Sequence, residues 1–405
     1  MVISPESLLT PDQLKNPVQL YEKLRDMGPL FYDPVQKNWV ATGADIVNQI
    51  LRHPNISSNR DGLGNIRYGE ENARQVSEIT SGITKSMIGM DPPEHTRLRS
   101  MVSHVMARDR LPVWEPDIAN QFLKLLDPCL SNGGMDFVSE LSEPYPTEVI
   151  CELFNIPDKR RDGYRRRTQL SVRFFGQSLE KLSVAETAES TAALMGNRKL
   201  LTQLLEERCE TPEHDLLSEL AENIRNGDSS LKEMAAMANL IVAAGHVTTV
   251  DLLANGVYQL LKHPDQWQLL VENPELAPSA SEEILRYDSS VPFTMRKAGE
   301  DLEFEGVQIT KGSFIAVGLG PANHDPEVNP NPEEFDITRK HIRHVSFASG
   351  PHVCVGANLA RLEMQIALKA LAERAPDLRF AEEPEPYKKA ETLMFKGFHA
   401  LPLIC

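Results

Sequence analysis

The sequence predicts a mainly α-helical fold that forms one domain over residues 1–405, with small sheets at its margin. Apolar residues recur with helical spacing from about residue 94 to 285. Strand-like alternation is confined to short stretches near 30–42, 302–317 and the last twenty residues. Prolines cluster between residues 321 and 334, where we expect no helix to run. Because no internal repeat or Gly/Ser-rich linker interrupts the chain, these signals favour a single helical domain.

The composition is typical of an acidic globular protein. Lys and Arg total 42 against 58 Asp and Glu, a formal net charge of −16, and 41% of the residues are hydrophobic. Nucleic acids and anionic membranes attract basic proteins, so neither is expected as a partner. The N-terminus lacks the pattern of a signal peptide, and the most apolar run, 240–244, is far shorter than the ~20 residues of a spanning helix. We therefore expect a monomeric cytoplasmic protein.

One predicted helix is unusually long. Ser230 and Glu233 have the spacing of a capping box, and Pro264 supplies a stop signal. The interval of roughly 30 residues exceeds the usual helix length of about 11–12. Its midpoint contains Gly245 and several β-branched residues, which are poor helix formers. Either a neighbouring helix packs closely on this glycine, or the midpoint has a function.

Cys354 differs from the other four cysteines, at 129, 151, 209 and 405, which form no disulfide framework or zinc pattern. Cys354 lies in a loop just before a strong helical pattern, where free N–H groups and the helix dipole favour a thiolate. Gly350 and Gly356 allow tight turns and the close approach of a flat ligand. A thiolate in this setting is suited to binding haem iron and favouring O–O cleavage.

The loop pattern Phe347-x-x-Gly350-x-His352-x-Cys354-x-Gly356 closely resembles the haem-binding loop of the cytochrome P-450 family. That resemblance implies a triangular helical prism with small marginal sheets. Haem b would lie between the long central helix and the loop, with Cys354 as the axial iron ligand. Phe347, Gly350 and Gly356 would also contact the cofactor. The chain is most similar to the soluble bacterial branch of the family.

Further segments resemble the same family in the same order. Glu283 and Arg286 match its Glu-x-x-Arg pair, which would lock onto the segment 331–339; an ordinary surface ion pair is the alternative. His95 and Arg99 are neighbours on one helix face and match residues that hold a haem propionate. Arg296 and His352 match further propionate contacts. For these cations the alternative is a solvated charge.

The midpoint of the long helix resembles the oxygen-binding segment of the family, with one departure. Ala244, Gly245 and Thr248 match, but Val247 occupies the position of the usual acid, and valine cannot relay a proton. Ordered water with Thr248 could deliver protons, or the substrate could supply the group. A third interpretation is chemistry that needs no such relay. We expect His246 to point elsewhere on the helix.

The predicted substrate pocket is mostly apolar, which suits a bulky hydrophobic molecule. Its predicted wall comprises Met87, Ile88, Ala243, Val247, Val291, Phe293, Thr294 and Phe395. Phe174 and Phe175 match the roof of the pocket in the family, and Leu393 would extend its last wall. Lys396 is expected to be exposed, with contact to a carboxylate as the alternative.

The resemblance implies a monooxygenase that hydroxylates or epoxidises a secondary metabolite, such as a polyketide, terpenoid or peptide, free or tethered to a carrier protein. A ferredoxin or flavodoxin with a reductase would supply electrons, docking near basic residues such as Arg97, Arg343 and Arg361. Val247 keeps open a haem-thiolate enzyme of atypical chemistry, namely peroxygenation, oxidative coupling or rearrangement. A non-catalytic haem protein that senses a ligand and a helical module without haem are further alternatives.

Overall fold

The computed structural model describes residues 10–59, 86–176, 184–382 and 394–405, and helices dominate it. In chain order the helices are α1 (Pro17–Asp26), α2 (Ala44–Arg52), α3 (Glu94–Ser103), α4 (Leu111–Asn132), α5 (Pro144–Leu153), α6 (Asp158–Gly176), α7 (Val184–Glu210), α8 (Leu216–Arg225), α9 (Leu231–Lys262), α10 (Pro264–Glu272), α11 (Ala277–Tyr287), α12 (Leu319–Asn323) and α13 (Ala357–Arg374). The prediction of a mainly α-helical fold is confirmed.

The strands form small sheets beside the helices. They are β1 (Leu30–Asp33), β2 (Asn38–Ala41), β3 (Ile56–Ser57), β4 (Gly134–Asp136), β5 (Phe293–Ala298), β6 (Leu302–Phe304), β7 (Val307–Ile309), β8 (Phe314–Gly318), β9 (Arg379–Phe380) and β10 (Pro402–Ile404). The largest sheet has the order β1-β2-β8-β5-β3, in which only the β2–β8 pairing is parallel. A second sheet has the order β4-β10-β9, and β6 pairs with β7.

The structure contains elements that were not predicted, including the short strands β3, β4, β5 and β9 and one short helix. Strand β5 was not predicted, although it pairs with β8 along its length, for example Thr294 with Val317. A strand this short is hard to recognise from its sequence, because contacts with neighbouring elements decide which of its sides is buried. The proline-rich stretch also contains a short helix, α12, with Pro321 in its first turn. Proline is tolerated there because a first-turn N–H has no partner within the helix.

The long helix α9 forms as predicted and runs without a break for 32 residues. The Glu233 N–H donates to Ser230 Oγ at 3.2 Å, and the Ser230 N–H donates to the Glu233 carboxylate at 2.9 Å, which completes the capping box. By length and composition α9 is apolar enough to cross a membrane, but 72% of its most apolar window is buried inside the protein. That burial is typical of a core helix.

The second half of α9 is packed tightly against the helices that follow it. A Cβ placed on Gly256 would lie 3.0 Å from Ile284 of α11 and 3.0 Å from Met364 of α13. These contacts belong to the main hydrophobic core, in which α9 also meets α5 and α7. The packing holds α9, α11 and α13 in fixed positions around the loop that carries Cys354.

Candidate active site

A large cavity lies between the middle of α9, residues 240–252, and the loop 346–356. Its volume is about 1550 Å³, including its opening to solvent. Side chains from α3, α9, β5 and α13 line it together with that loop. Most lining residues are apolar or small, and the basic ones among them are His95, Arg99, Arg296 and His352.

The loop presents Cys354 to the cavity from the N-terminus of α13. The Cys354 N–H donates to the Phe347 carbonyl at 2.8 Å, which closes the loop on itself. Phe347 and Gly356 line the cavity as predicted, and a Cβ on Gly356 would lie 4.0 Å from the Cys354 sulfur. Gly356 therefore leaves the side of the sulfur open.

Gly350 has a different role from the predicted cofactor contact. It does not line the cavity, and its φ of +73° is one that L side chains rarely adopt. A Cβ there would also lie 2.5 Å from the Leu51 carbonyl at the end of α2. Gly350 is required because the loop must turn tightly against α2.

The thiol of Cys354 has several neighbours that favour its ionised form. Burial raises its pKa, because the sulfur faces the cavity but lies deep in the protein. The Gly356 N–H and the Arg99 and Arg361 guanidiniums act in the opposite direction. Burial also raises the pKa of the Cys151 thiol, to about 12. Among the cysteines, Cys354 is the one that lines this cavity.

Four basic side chains meet at one end of the cavity, and all four were predicted. The rings of His95 and His352 lie 3.9 Å apart, and Arg99 and Arg296 line the same end. Burial lowers the pKa of His95, and Arg99 lowers it further. Burial and the neighbouring cations lower the pKa of His352 to about 3. The buried His95 Nδ1 has no hydrogen-bond partner among the described residues. This cluster is suited to an anionic group.

The predicted Glu283–Arg286 pair is fully buried, so it is not an ordinary surface ion pair. Arg286 donates to Glu283 at 2.7 and 2.8 Å, and to the carbonyls of Pro332 at 2.7 Å and Glu334 at 2.9 Å. The Asp336 N–H in turn donates to Glu283 at 3.1 Å. The pair therefore ties α11 to the predicted segment 331–339, beneath the Cys354 loop.

The opposite wall of the cavity is the face of α9 that carries Ala244, Gly245 and Thr248. A Cβ on Gly245 would meet no described atom within 4 Å outside its own helix backbone. The alternative of close helix packing at this glycine is therefore wrong. The Thr248 hydroxyl donates to the Ala244 carbonyl at 2.8 Å, which leaves its oxygen lone pairs directed to the cavity.

Two predicted pocket residues of α9 lie outside the cavity wall. Ala243 and Val247 do not line it, and Val247 is only 2% exposed. Each residue precedes one of the lining positions 244 and 248, so it is rotated by about 100° around the helix. His246 points elsewhere, as expected, and lies 3.1 Å from Thr147 of α5.

The other predicted pocket residues divide in the same way. Met87, Ile88, Val291 and Thr294 line the cavity. Phe293 does not, because side chains alternate along β5: Thr294 and Arg296 face the cavity, and Phe293 is buried on the other side of the sheet. Phe395 is half-buried and also lies off the cavity wall. The side chains of Phe174 and Phe175, and Leu393, lie outside the described residues.

Lys396 is fully buried, so the prediction of an exposed lysine is wrong. Its ammonium forms an ion pair with Asp288, which also accepts from the Gln259 amide at 2.6 Å. The Lys396 carbonyl accepts from Asn255 of α9 at 3.1 Å. These bonds hold the chain after Phe395 against the second half of α9, away from the cavity centre.

Sequence reasoning missed Glu363 on α13. It is 3% exposed and lines the cavity, where it is the one carboxylic acid among the described lining residues. Burial raises its pKa to about 8, and its Oε2 has no described hydrogen-bond partner. An acid on the apolar face of this helix, beside Leu359 and Ala367, was the available signal. Glu363 keeps its proton at neutral pH.

Comparison with known proteins agrees with this geometry. The sequence model of the family called cytochrome P450 matches residues 266–374. Cytochrome P450 107B1 of Saccharopolyspora erythraea is 37% identical over 371 residues, 90% of this chain and 88% of the relative. The polyketide biosynthesis cytochrome P450 PksS of Bacillus subtilis is 32% identical over 396 residues, which make up 96% of this chain and 95% of the relative.

A solved protein structure is also similar to this chain over nearly its whole length. P450BioI, in complex with hexadec-9Z-enoic acid ligated acyl carrier protein, superposes with a TM-score of 0.85 at 30% identity. The match covers 98% of this chain and 100% of that one. The chain belongs to the cytochrome P450 family, and it is a P450 monooxygenase.

Family membership implies a haem cofactor, and the residues of the cavity fit one. A thiol faces the open space from one wall, and small residues face it from the other. The basic cluster, with its buried and unpartnered His95 nitrogen, matches the carboxylates that a haem carries at one edge. The site therefore has an iron ligand on one wall, open space before the other, and basic groups at one end.

Proposed function

We propose that this chain binds haem b through Cys354 and inserts one oxygen atom of O2 into a bulky, largely apolar metabolite by hydroxylation or epoxidation. The observation that carries the proposal is the cavity itself, with Cys354 on one wall and Ala244, Gly245 and Thr248 on the other. Bound haem supplies the activation of O2. His95, Arg99, Arg296 and His352 would hold its propionates, and Phe347 and Gly356 would border it.

The proposed substrate class follows from the remaining wall. Met87, Ile88 and Val291 are apolar, and flexible methionines adapt to large hydrophobic molecules. One relative is named for polyketide biosynthesis, and P450BioI was solved with an acyl carrier protein. We therefore favour a polyketide, terpenoid or lipid-like peptide of secondary metabolism, either free or tethered to a carrier protein.

We infer that protons reach the cavity from Glu363 rather than from α9. Val247 lies off the cavity wall, whereas Glu363 lines it and holds a proton at neutral pH because burial raises its pKa to about 8. Thr248 has free lone pairs at the opposite wall and can order water. The first interpretation from the sequence, water with Thr248, thus acquires a proton source within the chain.

The proposed electron donor is an acidic ferredoxin or flavodoxin with its reductase. Arg97 and Arg361, two of the predicted docking residues, form ion pairs with Glu233 and Glu282. Arg343 and Arg108 are exposed, and Arg108 lines a surface groove near the Cys354 loop. We propose these two as docking cations on a single-domain, monomeric, cytoplasmic enzyme.

A spectral titration of the purified ferric protein tests the proposal. We expect a low-spin thiolate-haem spectrum that polyketide, terpenoid, fatty-acid or cyclic-peptide compounds convert to high spin. Cys354→Ser should lose the thiolate spectrum and the activity, whereas Cys405→Ser should keep both. A wild-type protein that binds no haem would contradict the assignment. A Cys354→Ser variant that keeps the wild-type spectrum would contradict it as well. Turnover driven by peroxide but not by O2 and reductant would favour the atypical chemistry.

A further inference from the structure

Outside the cavity, the structure contains a charged cluster that the proposed function does not use. Arg361 of α13 donates to Glu282 of α11 at 2.6 and 3.1 Å, a bidentate pair. Their side chains are 30% and 32% exposed, and both line a surface groove behind the Cys354 loop. Such a pair has a defined geometry, because the planar guanidinium matches both carboxylate oxygens.

His344 fixes the other side of the same carboxylate. Its Nε2 lies 3.0 Å from the Glu282 carboxylate, and its Nδ1 accepts from the Ser346 N–H at 3.3 Å. Because Nδ1 is an acceptor, the proton of the neutral ring is on Nε2, which donates to Glu282. Burial would raise the pKa of Glu282, but the bonds from His344 and Arg361 lower it to about 2. Glu282 is therefore a fixed anion.

Arg361 also contacts the loop that carries the proposed iron ligand. Its guanidinium lies 4.6 Å from the centre of the Phe347 ring, within the range of a cation–π contact. The Phe347 carbonyl accepts from the Cys354 N–H at 2.8 Å. One side chain thus joins a fixed anion to the aromatic ring of the loop that carries the sulfur.

We propose that Arg361, anchored by Glu282 and His344, is a positioning residue that sets the reduction potential of the haem bound by Cys354. Reduction adds a negative charge to the site, and a nearby cation stabilises that charge while a nearby anion opposes it. Arg361 contacts the ring of Phe347, which lines the cavity, whereas Glu282 lines the surface groove and partly cancels the charge of Arg361 from there. The two members of one ion pair should therefore shift the potential in opposite directions.

The experiment measures the midpoint potential of holoenzyme variants by dye-equilibrated spectral titration. Arg361→Gln should lower the potential, changing the ferric-to-ferrous ratio at a fixed poise by about threefold to tenfold; tenfold corresponds to about 59 mV for one electron. Glu282→Gln should raise it by a smaller factor, and the double variant should lie between. Arg361→Lys keeps the charge but not the planar stack, so it should recover part of the shift.

Arg374→Gln is the matched control. It removes a guanidinium paired with a carboxylate, Asp127 at 2.6 Å, at the far end of the same helix. It should leave the potential unchanged. The proposal is overturned if Arg361→Gln and Glu282→Gln shift the potential in the same direction, as general loosening of the loop would do. It is also overturned if neither shift exceeds that of the control.

This inference rests on the proposed haem site, and the two fail in different ways. A wild-type protein without a thiolate-haem spectrum would remove both. A normal wild-type spectrum, with potentials that do not respond to Arg361 or Glu282, would remove only the tuning role. The ferrous carbonyl spectrum of each variant shows whether Cys354 ligation is retained, so a lost ligand is not mistaken for a shifted potential.

Discussion

The two walls of the cavity are built on different physical principles. The wall around Cys354 is supported by ionic groups, namely the fully buried Glu283–Arg286 pair and the partly exposed Glu282–Arg361 pair. The wall formed by the middle of α9 consists of small and apolar residues together with two threonines, and Gly245 faces open space. The first wall depends on specific charges and hydrogen bonds, and the second on shape.

The two walls serve different needs: the first keeps a metal ligand in one position, and the second leaves space for O2 and substrate. A metal ligand has to be kept in one geometry, and buried polar networks with every partner satisfied provide that rigidity. A binding surface for O2 and substrate needs space, which small side chains on an uninterrupted helix supply. We therefore expect substitutions at the first wall to affect stability and electronic properties, and substitutions at the second to affect ligand binding and the fate of electrons.

The largest expected effect is at the buried pair beneath the loop. Arg286→Ala leaves the buried Glu283 with a single, longer ion pair to Arg339 at 3.4 Å, so the variant should cost about 3–5 kcal/mol of unfolding free energy. Urea unfolding followed by circular dichroism measures it. Arg374→Ala, which breaks an exposed pair with Asp127, should cost no more than about 1 kcal/mol. Similar losses in the two variants would remove the distinction between the walls.

Two glycines of α9 provide a matched pair. Gly256→Ala places a methyl group 3.0 Å from Ile284 and Met364, and such overpacking should cost about 1–3 kcal/mol. Gly245→Ala meets no described neighbour and should stabilise the helix by up to about 1 kcal/mol. The same Gly245 variant should weaken the substrate-induced spin shift by narrowing the cavity. Equal stability changes would show that both sites are packed alike.

The proposed proton source is tested by Glu363→Gln. Product formed per electron consumed should fall about tenfold at pH 7, within the range that a lost proton donor can cause. In the wild type this coupling should be high at neutral pH and decline as pH rises through about 8, where Glu363 loses its proton. The variant should lack that decline. A wild-type profile that is flat from pH 6 to 9 would exclude Glu363 as the donor.

The smallest effect is expected at Val247. Val247→Asp should change coupling by less than Glu363→Gln does, because position 247 lies off the cavity wall. Val247→Thr, with nearly the same shape and no acid, is the control. The solvent isotope effect on coupling should be unchanged in both. Full recovery of coupling in the double variant Val247→Asp with Glu363→Gln would place the relay on α9 instead.

Much of the rigid wall could be predicted from the sequence. The spacing from Phe347 to Gly356, the Glu283–Arg286 pair and the basic residues at 95, 99, 296 and 352 all lie where the sequence predicts, near the cavity or beneath its loop. Few other residue types could serve at these positions, because each position requires a charged side chain, a backbone with positive φ or a sulfur ligand. The length and capping of α9 could also be predicted, since capping boxes and stop signals depend on residues close together in the sequence.

The rest of the cavity lining was predicted less well. Ala243, Val247, Phe293 and Phe395 were expected to line the pocket and do not, and Glu363 lines it unexpectedly. Apolar side chains have the same sequence signature whether they face a core or a cavity, so only the rotation of α9 and the alternation of β5 distinguish them. The tight turn at Gly350 was predicted, but its close approach to the Leu51 carbonyl was not, because that contact joins segments far apart in the sequence.

The sequence by itself determined the fold class, the family resemblance and the residue that faces the cavity as a thiol, because these depend on local spacing and rare residue types. Only the tertiary structure decided which α9 side chains border the cavity, that Glu363 is buried there as a neutral acid, and that Arg361 connects Glu282 to the Phe347 ring. Burial and charge pairing between distant segments are properties of packing, and no local pattern encodes them.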